Sequence, residues 1–205
     1  TTSVNTGNAI ATNGSFSVAN MGNRDAFLVK FNASGVRQWG TYYGGANDEF
    51  GNSCSVDASN NPYLCGTTKT WTPGVMSTSG AHQTVAPITN EEDAFLVKFN
   101  SNGTSRIWAT YYGGAWLDYG ISCFTDSQKN IYLAGSTYSV NSATNYIAIN
   151  GHQNSLTGTA TPENAFLVKF DSTGVRQWGT YYGADDTKAT LCYVDNANDV
   201  YLVGN

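Results

Sequence analysis

The sequence contains few charged residues, and positive charge is the scarcest. Of its 205 residues, ten are Lys or Arg and fifteen are Asp or Glu, so that 12% are charged, against a usual ~25%. The basic residues never cluster, and the formal net charge is −5. Proteins that bind phosphate backbones or anionic lipid need concentrated positive charge. The composition therefore argues against nucleic acid and membrane surfaces as partners.

Long hydrophobic runs and catalytic signatures are also missing. No run of about 18 apolar residues occurs, so we expect no membrane insertion. The chain has two histidines and contains no G-x-S-x-G, H-E-x-x-H or phosphate-binding glycine loop. We therefore predict that the protein is not an enzyme. A hydrolase or lyase built on the fold predicted below is an alternative that rests on fold analogy alone.

One sequence motif occurs three times in the chain. "DAFLVKF" begins at Asp25 and again at Asp93, and "NAFLVKF" begins at Asn164, which gives spacings of 68 and 71 residues. Three cysteines are spaced 69 residues apart, namely Cys54, Cys123 and Cys192. A fixed long period indicates a repeat architecture.

Each repeat contains four short segments that are typical of β-strands and are separated by turn residues. In the second repeat they cover Asp93–Phe99, Ser105–Gly114, Gly120–Asp126 and Ile131–Gly135. These four segments predict an up-and-down meander. A connection of 20-odd residues, such as Thr67–Glu92, leads to the next repeat, and connections of that length usually have a functional or packing role.

The strands are apolar on both faces. In the segment from Asp93, Ala94 and Leu96 point one way, while Phe95, Val97 and Phe99 point the other. Both faces must then be covered, which sheets stacked around an axis achieve. We predict an all-β fold, a β-propeller made of four-stranded antiparallel blades of about 70 residues. Three blade-equivalents, each a long loop followed by four strands, would cover residues 1–66, 67–135 and 136–205.

The ordered combination of motifs resembles a known family. It comprises "DAFLVKF", then "TYYGG" at Thr41–Gly45 and Thr110–Gly114, then "VD" at Val56–Asp57, and "NxYLxG" endings at Gly66 and Gly135. This order is similar to the bacterial SBBP-type β-propeller repeat, which is found in large secreted and cell-surface proteins. The resemblance covers nearly the whole chain. The third repeat departs from it, since "YYGADDTKATLC" lacks the acidic–aromatic–Gly element.

Three blades are too few for a closed ring, because propellers usually have ~4–8. An open arc would expose its end blades. We therefore expect further blades as partners. Either the same longer chain supplies them, or a second copy closes a six-bladed ring, in which each interface combines the first two strands of one copy with the last two of the other.

The cysteines have a packing interpretation and a redox one. Cys is small and readily buried, so the repeated position favours packing on the innermost strand. Cys65 does not repeat, and it faces Cys54 across the "DASNNP" hairpin, which makes Cys54–Cys65 a candidate disulfide. No C-x-x-C pair occurs, so structural zinc is not expected.

Four loop residues are candidates for ligand binding. His82 and His152 occupy matched "HQ" positions, where anchoring of the loop is favoured over metal binding because no Cys or matched carboxylate lies nearby. Trp71 and Trp116 do not repeat, and unshared loop aromatics suggest contact with a sugar ring or another protein. The repeated Trp residues are assigned to packing between blades instead; they are Trp39, Trp108 and Trp178.

Acidic loops after the second repeated motif offer oxygen ligands for calcium. Their carboxylates belong to Asp48, Glu49, Asp118, Asp185 and Asp186. Ca²⁺ takes 6–8 oxygens, and each loop alone supplies too few. Turn formation is the competing explanation, and no other cofactor is expected.

The low charge and the abundance of Thr, Ser, Asn, Gly and Tyr are typical of secreted or cell-surface bacterial proteins. We predict an extracellular or cell-surface segment with a structural or adhesive role, acting as a rigid scaffold or interaction platform. The alternative is a carbohydrate- or peptide-binding module that uses the long, non-repeated loops.

Overall fold

The computed structural model describes residues 10–89, 91–142, 147–159 and 162–205. Within these ranges the chain forms twelve β-strands and no helix, so none of the described segments is a helix able to cross a membrane. The strands are β1 (Ala26–Phe31), β2 (Arg37–Tyr43), β3 (Glu49–Val56), β4 (Pro62–Thr68), β5 (Asp93–Phe99), β6 (Arg106–Tyr112), β7 (Asp118–Thr125), β8 (Ile131–Thr137), β9 (Asn164–Phe170), β10 (Arg176–Tyr182), β11 (Ala189–Val194) and β12 (Val200–Gly204).

The strands form four antiparallel sheets. Two sheets have four strands, in the orders β3-β4-β5-β6 and β7-β8-β9-β10, and two have only two strands, β1-β2 and β11-β12. The prediction of an all-β fold with four-stranded antiparallel sheets is confirmed at this level. The short strands follow from period-2 segments rich in β-branched and aromatic residues, which fit a pleated surface.

The predicted grouping of strands within a repeat is wrong. "DAFLVKF" was expected to begin a sheet, but β5 pairs with β4 across the long connection, with Tyr63 opposite Lys98 and Thr68 opposite Asp93. No pairing joins β6 to β7. Each four-stranded sheet therefore takes two strands from each of two consecutive sequence repeats. The length of the connection between β4 and β5 disfavours this arrangement only slightly, because doubling the length of a loop raises the entropic cost of closing it by only ~0.6 kcal/mol.

Tight hairpins built on an aspartate join β3 to β4, β7 to β8 and β11 to β12. In the first, Asp57 Oδ1 accepts hydrogen bonds of 2.9 Å from the backbone N–H groups of Ser59 and Asn61. Asn60 has a φ of 62°, a left-handed conformation that Asn tolerates better than most residues. The repeated "VD" motif therefore sets the turn, and with it the register of the pair.

The first strands of successive sheets lie side by side. The N–H of Cys123 on β7 donates to Ser53 Oγ on β3 at 3.3 Å, and the N–H of Cys192 on β11 donates to Ser122 Oγ on β7 at 3.1 Å. The repeated cysteines thus occupy one position at the contact between sheets. Cys123 and Cys192 are buried there, as the packing interpretation predicts.

Tryptophans link the outer parts of successive sheets. Trp39 Nε1 donates to the Ser101 carbonyl at 3.2 Å, in the turn between β5 and β6 of the next sheet. Gly103 in that turn has a φ of +69°, and a Cβ there would lie 2.5 Å from the indole. Only glycine fits both the backbone conformation and the close approach. The assignment of the repeated tryptophans to packing between sheets is supported by this geometry.

The core lies between the sheets. Every residue of β4 and of β5 is buried, which confirms that these strands are covered on both faces. The largest buried side chains are the aromatic residues of the repeats. They include Phe95, Phe99, Tyr111, Phe166, Phe170 and Tyr181.

Candidate functional site

The four predicted ligand-binding residues do not come together. Trp71 and His82 both lie in the β4–β5 connection and are partly buried, while Trp116 and His152 are exposed. The His82 ring packs 5.8 Å from both the Tyr112 ring and the Phe170 ring. His82 is therefore a packing residue of the loop.

The "HQ" loops are anchored through the glutamine. The N–H of Gln83 donates to Thr110 Oγ1 at 2.9 Å, and the N–H of Gln153 donates to Thr180 Oγ1 at 2.8 Å. Both loops therefore run beside the fourth strand of a sheet. Loop anchoring was the favoured interpretation of this motif, and the residue that makes the bonds is the glutamine following each histidine.

Trp116 lines a separate apolar cavity of about 520 Å³ between two loops. The indole is 61% exposed, and Tyr138 forms part of the same wall. The other lining residues are mainly apolar and include Leu117, Val140, Leu156 and Pro162. Neither Trp71 nor the two histidines line this cavity, so the four predicted binding residues do not share it.

The candidate disulfide is not formed. Cys54 and Cys65 are both free thiols, the first exposed and the second buried. In the β3–β4 register Cys54 lies opposite Leu64, while Cys65 lies opposite Ser53. Because successive residues of a strand point to opposite faces, the one-residue offset directs the two thiols to opposite sides of the sheet.

The five predicted calcium ligands also separate into different surroundings. Glu49 and Asp118 are buried at the start of β3 and β7, Asp48 is partly buried, and Asp185 and Asp186 are exposed. Asp185 Oδ1 caps a neighbouring loop by accepting the N–H of Thr159 at 2.8 Å. Among the residues that the structure describes, no three His, Cys, Asp or Glu side chains form a metal-binding group.

Two of the five instead pair with carboxylates that the sequence interpretation treated only as strand residues. Asp93 begins β5, Asp118 begins β7, and both approach the backbone at Gly113. A Cβ built on Gly113 would lie 2.2 Å from Asp93 Oδ1 and 2.7 Å from Asp118 Oδ2. The missing side chain at Gly113 therefore makes room for two converging carboxylates. We call Asp93 and Asp118 the second acidic pair.

Burial makes ionisation of the second acidic pair unfavourable. Desolvation, and next the nearby charges of Asp118 and Glu91, raise the pKa of Asp93 to about 9. Desolvation also raises the pKa of Asp118 to about 7, although donors beside it, among them the N–H of Gly114 and the Ser139 hydroxyl, offset part of that rise. At neutral pH the site strongly favours a proton or another positive charge.

The first repeat contains an equivalent arrangement. A Cβ on Gly44 would lie 2.4 Å from Glu49 Oε2 and 2.7 Å from Asp25 Oδ1. Desolvation raises the pKa of both carboxyls, that of Asp25 despite bonds from the N–H groups of Met21 and Gly22. We call Asp25 and Glu49 the first acidic pair. The repeated first residue of "DAF" was the signal in the sequence that could have identified these pairs.

No family model matches this chain, and no curated protein matches it.

Proposed function

We propose that the chain is a segment of a β-propeller with a structural or adhesive role, acting as a rigid scaffold or interaction platform outside the cell or on its surface. One observation carries the proposal: the residues common to the repeats are used in contacts between successive sheets. The paired first strands and the Trp39–Ser101 and Trp108–Ser172 contacts are examples. The low charge and the SBBP-like motifs support the bacterial extracellular setting, and the proposal assigns no catalytic role.

The two end sheets support a continuation of the stack. Phe27 on β1 is 53% exposed and Tyr201 on β12 is 54% exposed. Their equivalents in the complete sheets, Phe95, Phe166 and Tyr63, are all fully buried. Exposed apolar edges of this kind favour association. Further blades, from a longer chain or from a second copy, would cover them.

The register of such a junction follows from the two complete sheets. Tyr63 lies opposite Lys98, and Tyr132 lies opposite Lys169. The same register would place Tyr201 of one end opposite Lys30 of the other. Two further matches support this junction. Lys98 and Lys169 each pair with an aspartate of the hairpin turn, as Lys30 would with Asp195, and Gly35 has the open space that Trp178 would fill.

Electron microscopy of the native particle, together with its mass, tests this proposal. We expect radial four-stranded sheets around one axis. A denatured mass near 21.9 kDa with a doubled native mass indicates ring closure by two copies, and a larger denatured mass indicates a longer chain. A particle without a central axis would contradict the propeller.

A matched pair of variants tests the junction. Val203→Lys places a charge on the β12 edge that a covering strand would bury, so it should block association. Val175→Lys changes an exposed turn residue and should leave association unchanged. Equal association of both variants would contradict the junction.

A second candidate function is binding of carbohydrate or a peptide at the Trp116 cavity. The exposed indole beside Tyr138 in a concave wall favours it, because aromatic faces stack on apolar faces of ligands. Trp116→Ala should abolish saturable binding to a glycan or peptide library, while Trp71→Ala, which lies outside the cavity, should not. Unchanged binding by Trp116→Ala would exclude this cavity.

A further inference from the structure

The second acidic pair is buried without any positive partner. Asp93 is 2% exposed and Asp118 is fully buried. The four ion pairs of the described residues involve Lys69, Lys98, Lys169 and Lys188, and none of them reaches either carboxylate. Placing two carboxylates in such a site without compensation is strongly unfavourable. A buried pair of this kind needs a positive charge from outside the chain.

Oxygen atoms at this site lack hydrogen-bond donors. Asp93 Oδ1 and Asp118 Oδ1 are both buried and have no hydrogen-bond partner. Native proteins satisfy the great majority of buried polar atoms. Gln83 lies at the same place, since its Oε1 accepts the N–H of Gly113 at 3.1 Å, and its Nε2 is likewise buried without an acceptor. Three of the five unpartnered buried side-chain atoms among the described residues, two acceptors and one donor, thus belong to this location.

The first acidic pair repeats part of this pattern. Asp25 Oδ1 is buried and without a partner. Glu49 is better satisfied, because its Oε1 accepts Thr68 Oγ1 at 2.8 Å and its Oε2 accepts the N–H of Gly45 at 2.7 Å. The site also borders the open groove beside β1, so we expect it to be the weaker of the two.

The third repeat provides an internal comparison. Asn164 replaces the aspartate, and Thr187 approaches Gly183 where the other repeats have an acidic side chain. Asn164 Oδ1 accepts the N–H of Thr157 at 3.0 Å and Gln153 Nε2 at 3.1 Å, and its Nδ2 donates to the Thr157 carbonyl at 2.7 Å. Where the pair is neutral, every polar atom of the asparagine side chain has a partner within the chain. Among the described residues, the carboxylate oxygens that are buried without a partner all belong to the two acidic pairs.

We propose that the second acidic pair binds a divalent cation of the calcium class, that the first acidic pair is a weaker copy of the site, and that the third repeat has none. Carboxylate oxygens are the ligands that hard cations prefer, and two carboxylates offer at most four of the 6–8 oxygens that Ca²⁺ takes. Water and neutral oxygens of the chain would complete the shell. One divalent ion would neutralise the two negative charges and use the oxygens that lack donors.

Calcium titration of the chelator-treated chain tests the site, with isothermal calorimetry and sensitised terbium luminescence as readouts. We expect saturable binding at the second acidic pair and a rise in Tm of at least about 5 °C when free calcium is 100-fold above Kd. Asp93→Asn, which copies the third repeat, should remove the tighter site and most of this rise. Asp185→Asn and Asp186→Asn change exposed carboxylates and should leave calcium binding and the calcium-dependent rise in Tm unchanged.

Folding of each variant is checked by circular dichroism and thermal unfolding before titration. If Asp93→Asn fails to fold, Asp118→Asn provides the same test. Absence of calcium and terbium binding at millimolar concentration would overturn the proposal. Calcium binding by Asp93→Asn equal to that of the parent chain would also overturn the proposal. So would an increase in Tm by Asp93→Asn that is the same with and without calcium, because a proton would then be what neutralises the pair in the parent chain.

Discussion

The indole nitrogen of Trp108 donates a 3.1 Å hydrogen bond to the carbonyl oxygen of Ser172, which lies 64 residues later in the chain. Trp39 makes the same bond to Ser101 across the preceding junction. Because each bond joins the last strand of one sheet to a turn in the next, one tryptophan per repeat sets how successive sheets meet.

Replacing Trp108, which lies at a junction between two sheets, should destabilise the chain more than replacing Trp178, which lies at an open end. Trp108→Ala removes a buried ring that packs on Tyr63 and Gly174, at a cost of about 3–5 kcal/mol in the free energy of unfolding. Trp178→Ala should cost at least about 1 kcal/mol less, because the equivalent turn is absent from its outer side. Urea unfolding measures both, and equal losses would contradict the role assigned to the junction.

A buried ion pair should contribute more to the free energy of unfolding than an exposed ion pair. Lys98 Nζ lies 3.0 Å from Asp57 Oδ2 and 5.0 Å from the Tyr63 ring centroid, with almost no exposure of either charged side chain. Lys98→Met leaves the carboxylate without its cation and should cost about 3–5 kcal/mol, part of which Asp57→Asn should restore in the double variant.

The matched control is Lys69, whose ion pair with Glu92 is partly exposed at both ends, with 41% and 20% of the side chains exposed. Lys69→Met should cost less than about 1 kcal/mol. Chemical unfolding at pH 7 of the parent chain and of the three variants gives these costs. A cost for Lys69→Met that equals that of Lys98→Met would show that burial of the pair is irrelevant to its strength.

Stability should fall in acid partly because of His82. Desolvation, and next the positive charge of Arg176, lower the pKa of His82 to about 4, and the rings of Tyr112 and Phe170 enclose it. A base whose folded pKa lies below its unfolded value of ~6.5 contributes stability that is complete above pH 6.5. That contribution, at most about 3 kcal/mol, is lost as the pH falls towards 4.

The measurement is the free energy of unfolding between pH 7.5 and 4.5 for the parent chain and for His82→Gln. The difference between them should shrink in acid, since the variant has no imidazole to protonate. Parallel curves over this range would refute the assignment, and the exposed His152→Gln variant serves as the control.

Thiol reactivity should distinguish Cys54 from its equivalents. Cys54 is exposed beside the open groove, whereas Cys65, Cys123 and Cys192 are buried. We expect a thiol reagent to label one of the four cysteines in the folded, unassociated chain and all four after unfolding. Labelling of Cys54 should be lost when another sheet covers β3, as β3 covers Cys123. Labelling of two or more thiols at the rate of unfolded protein would contradict the described core.

The sequence predicted the strands and their exposure better than their grouping. Ala94 to Phe99 are buried on both faces, as their pattern indicates, because alternation along a strand is a local property. Grouping the strands by repeat missed the pairing of β4 with β5. The residues of a strand do not by themselves specify which other strand it will pair with. The long connection from Thr67 to Glu92 looked like a boundary between sheets but lies within one.

The acidic pairs were likewise predicted only in part from the sequence. Glu49 and Asp118 were singled out for their acidity, yet Asp25 and Asp93 were interpreted only as the first residues of strands. Their approach to one another depends on Gly44 and Gly113, which leave space where the chain passes from one sheet to the next.

The sequence by itself determined the threefold repetition, the strand character and the turn residues, because these depend on side chains within a few positions of each other. Only the tertiary structure decided that Cys54 and Cys65 point to opposite faces, and that Asp93 meets Asp118 across 25 residues of chain. The physical reason is that strand register and contacts between sheets are set by the simultaneous burial of many apolar residues. No single stretch of the chain carries that information.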